Sequence, residues 1–134
     1  MTFPLKIVTP DGLIFDGQAE KLIVRTTTGD RAILARHIDG VFPLGMGEAA
    51  VVYDGNRRTA ACIGGLLRVS GGEVTLVPTT FEWSDQIDAE RAEKSLHRAE
   101  DILQKKDSSD AEIQLAEARL KRALIRRSVA TRRF

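Results

Sequence analysis

The sequence predicts an α+β chain: an N-terminal antiparallel β-sandwich of about ten strands, then a C-terminal antiparallel two-helix hairpin. Three observations predict it. Up to Trp83, short apolar runs of period two alternate with turn residues. Beyond Ser84 the apolar period becomes about 3.6. At the change stands Asp88, a helix N-cap type, with Glu90 placed to suit the positive end of a helix dipole. The joint divides the chain into a sandwich domain, residues 1–84, and a hairpin domain, residues 85–134.

Taken in order, Phe3, Leu5 and Ile7 alternate with Pro4, Lys6 and Val8, as in a half-buried strand. Asp11-Gly12 is a hairpin turn, and Leu13-Ile14-Phe15 returns before a further turn at Asp16-Gly17. Residues 20–25 form a strand with Leu22 and Val24 on one face. Thr28-Gly29-Asp30 ends it, a short strand over 32–34 follows, and 35–40 is a loop. Residues 41–45 fit strand or loop, because Pro43 would spoil a central strand. Two hairpins follow, 49–53 with 57–63 across Asp54-Gly55-Asn56, and 66–69 with 73–77 across Ser70-Gly71-Gly72. Gly64-Gly65 between them marks a bend or bulge.

In the helical part, Ala92, Leu96, Ala99 and Leu103 make one narrow apolar seam. Ser109-Asp110-Ala111-Glu112 is a capping box opening a second helix, with a seam of Ile113, Ala116, Leu120, Ala123 and Leu124. The polar connector Lys105-Lys106-Asp107-Ser108 folds the second helix back on the first. Alanine-rich seams let helices approach closely but bury little. At roughly 25 cal/mol per Å² such a hairpin has a small margin over chain entropy. It should dock on the sandwich or change partners.

The composition, 43% hydrophobic and 29% charged over 134 residues, is that of a soluble globular protein. No apolar run approaches the roughly 20 residues that span a bilayer, and the N-terminus lacks the apolar core of a signal peptide. The single cysteine, Cys62, has no partner for an internal disulfide, which fits a reducing cytosol. Its apolar neighbours mark it as an inert buried thiol. The net charge of +1 conceals an asymmetry. Residues 1–118 carry thirteen Lys/Arg against nineteen Asp/Glu, a net of −6; residues 119–134 carry seven basic residues and no acid. The basic end (Arg119, Lys121, Arg122, Arg126, Arg127, Arg132, Arg133) calls for an anionic partner: acidic protein, phosphate, nucleic acid or lipid headgroups.

His37 and His97 have no ligand-type neighbours at metal spacing, so no metal site is expected. No nucleophile–base set and no Walker loop is present, and no catalytic residue is expected. The arginines say more. Arg91 and Arg98 share one face of the first helix, and Arg122 and Arg126 one face of the second. Folded antiparallel, the four could converge on one polyanion. The bland alternative is four solvated surface charges. A basic-tailed nucleic-acid-binding or scaffold module is the competing function. It is disfavoured because Trp83 and Tyr53 are isolated and offer no stacking platform.

Four runs stand in a telling order: Ile7-Val8-Thr9-Pro10-Asp11-Gly12, Ile33-Leu34 with His37, Gly64-Gly65 with Val69, Val74 and Thr80, and Ile87-Asp88-Ala89-Glu90-Arg91-Ala92. In order and spacing the chain resembles the epsilon subunit of F-type ATP synthases, of the bacterial type with a C-terminal helical hairpin, over nearly its whole length. The last run is similar to the I/L-D-x-x-R-A motif that binds ATP in several bacterial members. The resemblance implies a ten-stranded sandwich with two helices, and a non-catalytic rotor subunit of a proton- or sodium-translocating synthase. It implies a central-stalk position against gamma and the c-ring, with helices that restrain ATP hydrolysis when extended towards the alpha and beta subunits. It also implies a peripheral place at the cytoplasmic face of a bacterial inner membrane, no required cofactor, regulatory ATP, and no nucleic acid partner. By position it implies ATP binding by Glu82, Ile87, Asp88, Arg91, Ala92, Arg98, Arg122 and Arg126. It implies c-ring contact by Arg36, His37, Ile38 and Asp39, and an inhibitory basic helix of Arg119, Lys121, Arg122, Arg126 and Arg127. The chain departs from the family at Ala35-Arg36-His37, in place of Pro-Gly-His, and at Arg31-Ala32, in place of a glycine-containing pair. Both departures fall at the implied c-ring contact.

Overall fold

A computed structural model describes residues 1–105 and 107–131. The chain forms two compact units, Met1–Trp83 and Ser84–Phe134. The first contains eight strands: β1 (Phe3–Thr9), β2 (Gly12–Ala19), β3 (Lys21–Thr26), β4 (Gly29–Ile33), β5 (Gly40–Pro43), β6 (Met46–Tyr53), β7 (Asn56–Ser70) and β8 (Glu73–Trp83). They hydrogen-bond in the order β2-β1-β8-β7-β6-β3-β4, with β5 also on β7.

The strand count differs from the expected ten for a definite reason: β7 and β8 each serve both layers of the sandwich. The first half of β7 pairs with β6 (Ala49↔Ala60) and its second half with β5 (Phe42↔Leu67). Its pairing with β8 keeps one register throughout, from Ala60↔Trp83 to Ser70↔Glu73. Gly64-Gly65 is therefore a bend and not a bulge, at φ of +68° and +99°. Across it the core-facing residues change from even numbers (Ala60, Cys62) to odd (Leu67, Val69). On β8 the set changes in the same way, from even (Val74 and Leu76) to odd (Phe81 and Trp83). A one-residue phase shift turns a strand over, so both strands show an inward face to each layer in turn.

Two other turn signals resolve differently. Asp16-Gly17 does not turn the chain; β2 runs through it, because Lys6 and Leu5 of β1 pair with Asp16 and Gly17. Pro43 is tolerated because it ends a short strand paired with β7, where its carbonyl still accepts from the Thr27 amide at 3.1 Å. One pair is parallel, β1 with β8 (Leu5↔Val74), in an otherwise antiparallel arrangement. The Asp54-Gly55 turn has φ of +51° and +74°, the form that matches strand twist in two-residue hairpins. The core is built from Leu5, Ile7, Leu22, Val24, Ile33, Val51, Leu67 and Leu76, all fully buried. Each such side chain contributes about 1.5–3 kcal/mol on burial. Cys62 lies among them, and burial pushes its thiol up to about 12, which leaves it without nucleophilic character at neutral pH.

The second unit opens with one tight turn, Ser84–Gln86, followed by α1 (Ala89–Gln104) and α2 (Asp110–Thr131). Asp88 caps α1 by accepting from the Arg91 amide at 3.1 Å. Ser109 caps α2, accepting from the Glu112 amide and donating to its carboxylate, both at 3.2 Å. The buried seam is Ala92, Leu96 and Ala99 on α1, and Ala116, Ala123, Val129 and Ala130 on α2. Leu124 is 39% exposed and lies outside it. It follows Ala123 by one residue, which rotates it about 100° away from the partner helix. No described helix is long and apolar enough to cross a membrane.

Candidate functional site

Three surfaces carry the chemistry. The first is the flank of the hairpin. On α1, Glu93, His97 and Glu100 each follow a seam residue by one, whereas Arg91, Ser95 and Arg98 each precede one. At 100° per residue these sets fall on opposite flanks. On α2, Arg127 lies about 40° to one side of Ala123, and Arg126 and Arg122 lie about 60° and 100° to the other. Arg127 donates to the Glu93 carboxylate at 3.5 Å. That contact joins one flank of each helix, so the remaining flanks adjoin as well. Arg91, Arg98, Arg122 and Arg126 thus share one rim of the hairpin. The opposite rim holds His97 between Glu93, at 3.4 Å, and Glu100, at 3.9 Å. The same contact sets the level of each residue: Arg122 lies beside Arg98, and Arg126 beside Lys94.

On the basic rim of α1 runs a shallow groove of about 370 Å³, lined by Asp88, Glu90, Arg91, Lys94, Ser95 and Arg98. It is bipolar. Its carboxylates lie at the helix start, and its guanidiniums and the Lys94 ammonium lie further along, with Lys94 and Glu90 3.5 Å apart. Of the expected nucleotide contacts, Asp88, Arg91 and Arg98 line this groove, and Arg122 and Arg126 stand on the same rim. Ala92 is instead buried in the seam, Ile87 is buried just ahead of α1, and Glu82 is half-buried in β8 of the other unit. Arg119, which precedes Leu120 by one, joins the flank of Arg122, and Lys121 is exposed. Arg132 and Arg133 lie outside the described residues.

The second surface is the loop between β4 and β5. Arg36 takes φ of +69°, in the left-handed region that favours glycine. His37 is held by its amide to the Leu34 carbonyl (3.2 Å), by Nδ1 donating to the Ile38 carbonyl (2.7 Å), and by edge contact with Phe42. Asp39 accepts from the Gly71 amide at 3.0 Å, tying the loop to the β7–β8 turn. The Arg31 guanidinium covers Phe42 at 4.0 Å. Leu34, Ile38 and Val41 are left exposed at the tip, Ile38 by 75%.

The third surface is one that sequence reasoning missed. Pro43 pairs with Leu66, Leu66 with Val77, and Val8 with Leu13. The β1–β8 register brings Val8 level with Val77. The row is an apolar stripe across five strands, about 19 Å wide at the usual strand spacing. Leu13, Leu66 and Val77 are each at least 45% exposed. The signal was present as outward-facing apolar residues in alternating strands. Only the pairing register could line them up. Among the described residues, no three His, Cys, Asp or Glu side chains gather in a metal-binding arrangement.

Comparison with known proteins decides the family. Residues 2–84 match the beta-sandwich domain of the ATP synthase delta/epsilon chain, and residues 85–131 match its long alpha-helix domain. The chain belongs to the ATP synthase delta/epsilon family. It is similar to the ATP synthase epsilon chain of Ruminococcus albus, with 42% identity over 98% of each chain. The epsilon chain of Bacillus velezensis is 42% identical over 96% of this chain and 97% of its own. Within the ATP synthase delta/epsilon family it is therefore of the epsilon type, a non-catalytic rotor subunit. A chain of the Euglena gracilis mitochondrial ATP synthase, solved as OSCP/F1/c-ring, superposes with a TM-score of 0.79 at 25% identity. That match covers 90% of this chain and 76% of the other. A chain of the Tetrahymena thermophila synthase shares the fold, with a TM-score of 0.66 at 10% identity and 95% coverage of each.

Proposed function

We propose that this chain is an ATP-sensing rotor subunit in the central stalk of an ion-translocating ATP synthase, peripheral at the cytoplasmic face of a bacterial inner membrane. Gamma covers the apolar stripe of Pro43, Leu66, Val77, Val8 and Leu13. The c-ring meets the loop tip, where Arg36, His37, Ile38 and Asp39 stand. The basic half of α2 turns to acidic surface on the alpha and beta subunits and restrains hydrolysis there. ATP binds the closed hairpin and opposes that contact.

The observation that carries the reading is the placement of Arg91, Arg98, Arg122 and Arg126 on one rim, with Asp88 and Glu90 at its start and Glu93 and Glu100 on the other rim. A rim with acceptors at one end and guanidiniums along it fits a ligand with donor groups at one end and phosphates at the other. The stripe, with apolar centre and polar margin, has the anatomy of a protein interface. Calorimetric titration of the full chain with ATP, with and without magnesium, tests the ligand. Arg126→Ala leaves the Asp88 cap intact and should weaken ATP by about tenfold, the loss expected of one charge-assisted contact. Unchanged affinity would remove the arginines from any nucleotide site.

A further inference from the structure

The groove on α1 contains one side chain whose chemistry the nucleotide reading leaves unused. Ser95 is half-buried and lies four residues after Arg91 and three before Arg98. Those are the spacings that stack side chains along one flank of a helix. At 1.5 Å per residue, Arg91 and Arg98 are about 10.5 Å apart along the axis, with Ser95 between them. Among the described residues its hydroxyl makes no hydrogen bond. Serine in mid-helix is also a poorer choice than alanine, because its hydroxyl competes for backbone groups. A local rule is broken with no structural return, and such breaks concentrate at functional positions.

We infer that Ser95 is a phosphate-binding residue, whose hydroxyl donates to the phosphoryl chain of a nucleoside triphosphate laid along α1 between Arg91 and Arg98. The inference rests on the reading of this rim as a nucleotide site. The direction of the ligand follows from the groove. Asp88 and Glu90 repel phosphate at the helix start, so the base lies there and the phosphates run towards Arg98. One phosphate cannot reach both guanidinium positions across this span, whereas a chain of three can occupy the middle, where the hydroxyl stands. Ser95 therefore selects for polyphosphate length.

The test is calorimetric titration of the full chain with ATP, inorganic triphosphate and AMP. Ser95→Ala should weaken ATP and triphosphate about tenfold and AMP less than twofold, as for one lost hydrogen bond to a charged group. Ser95→Thr keeps the hydroxyl and should bind as the parent does. Alanine favours helix, so helical content by circular dichroism should not fall in Ser95→Ala. If Ser95→Ala binds both polyphosphates as the parent does while Arg126→Ala loses ATP, this inference is overturned and the site stands. If the alanine and threonine variants lose equally, bulk and not the hydroxyl is at work, and the inference is again overturned. If neither Ser95→Ala nor Arg126→Ala alters ATP affinity, the nucleotide site itself falls.

Discussion

Arg36 shows how much one side chain can reveal. It sits at φ +69° in an exposed loop, in the region that favours glycine, and its guanidinium is no part of the sandwich core. A non-glycine residue in this region costs about 1 kcal/mol, and such strain concentrates at functional loops. Arg36→Gly should therefore raise the stability of the sandwich by about 0.5–1 kcal/mol, read as a shift in the urea midpoint. If the loop meets the c-ring through this residue, the same change weakens coupling while it stabilises the fold. The residue type and its departure from the pattern were legible in the sequence; its backbone conformation was not. Ala92 gives the opposite lesson. Its place in the motif implied a nucleotide contact, yet in the closed hairpin its methyl group is buried in the seam between the helices. A helical motif records which residues recur, but the flank each one faces depends on where the partner helix lies.

At the scale of elements, β7 was the hardest to read. Two half-strands separated by a glycine pair look like two strands in a sequence, because each half has its own apolar phase. The unbroken register with β8 makes them one strand bent across both layers. The bend is sterically demanding at Gly65, where an added Cβ would press into the Val77 carbonyl oxygen at φ +99°. Gly65→Ala should cost about 3 kcal/mol or more, because neither the backbone of β8 nor the bend can yield. Gly72→Ala, at φ +83° with nothing within 4 Å of the added carbon, should cost about 1 kcal/mol. Equal costs in chemical denaturation would show that the close approach at the bend is not what fixes β7. The helices were legible down to their caps, since Asp88 and Ser109 act locally and need no tertiary partner. The apolar stripe was not, because it exists only through pairings between distant segments.

For the whole molecule, two opposed demands meet in the hairpin. Its seam is mostly alanine, so little area holds it closed. Its second helix carries five basic residues between Arg119 and Arg127, and in the closed form three of them, Arg119, Arg122 and Arg126, stand on the rim proposed for ATP. Removing residues 119–134 should raise ATP hydrolysis by the assembled synthase, with assembly intact. Single exposed arginines contribute little, so a block change should exceed any one Arg→Ala. Unchanged hydrolysis after the truncation would refute a restraining role. The central claim is that ATP acts by holding the hairpin closed, since only there do the four arginines share a rim. A ligand shifts such an equilibrium by its differential affinity for the two states. At ATP a hundredfold above its dissociation constant the closed form gains about 2.7 kcal/mol if the open form does not bind. The direct measurement is energy transfer between fluorophores on α1 and α2 of the full chain during an ATP titration. The account predicts that the closed fraction rises with ATP in the parent and not in an Arg122→Ala, Arg126→Ala double variant. ATP binding that leaves a partly open hairpin at the same closed fraction would contradict it.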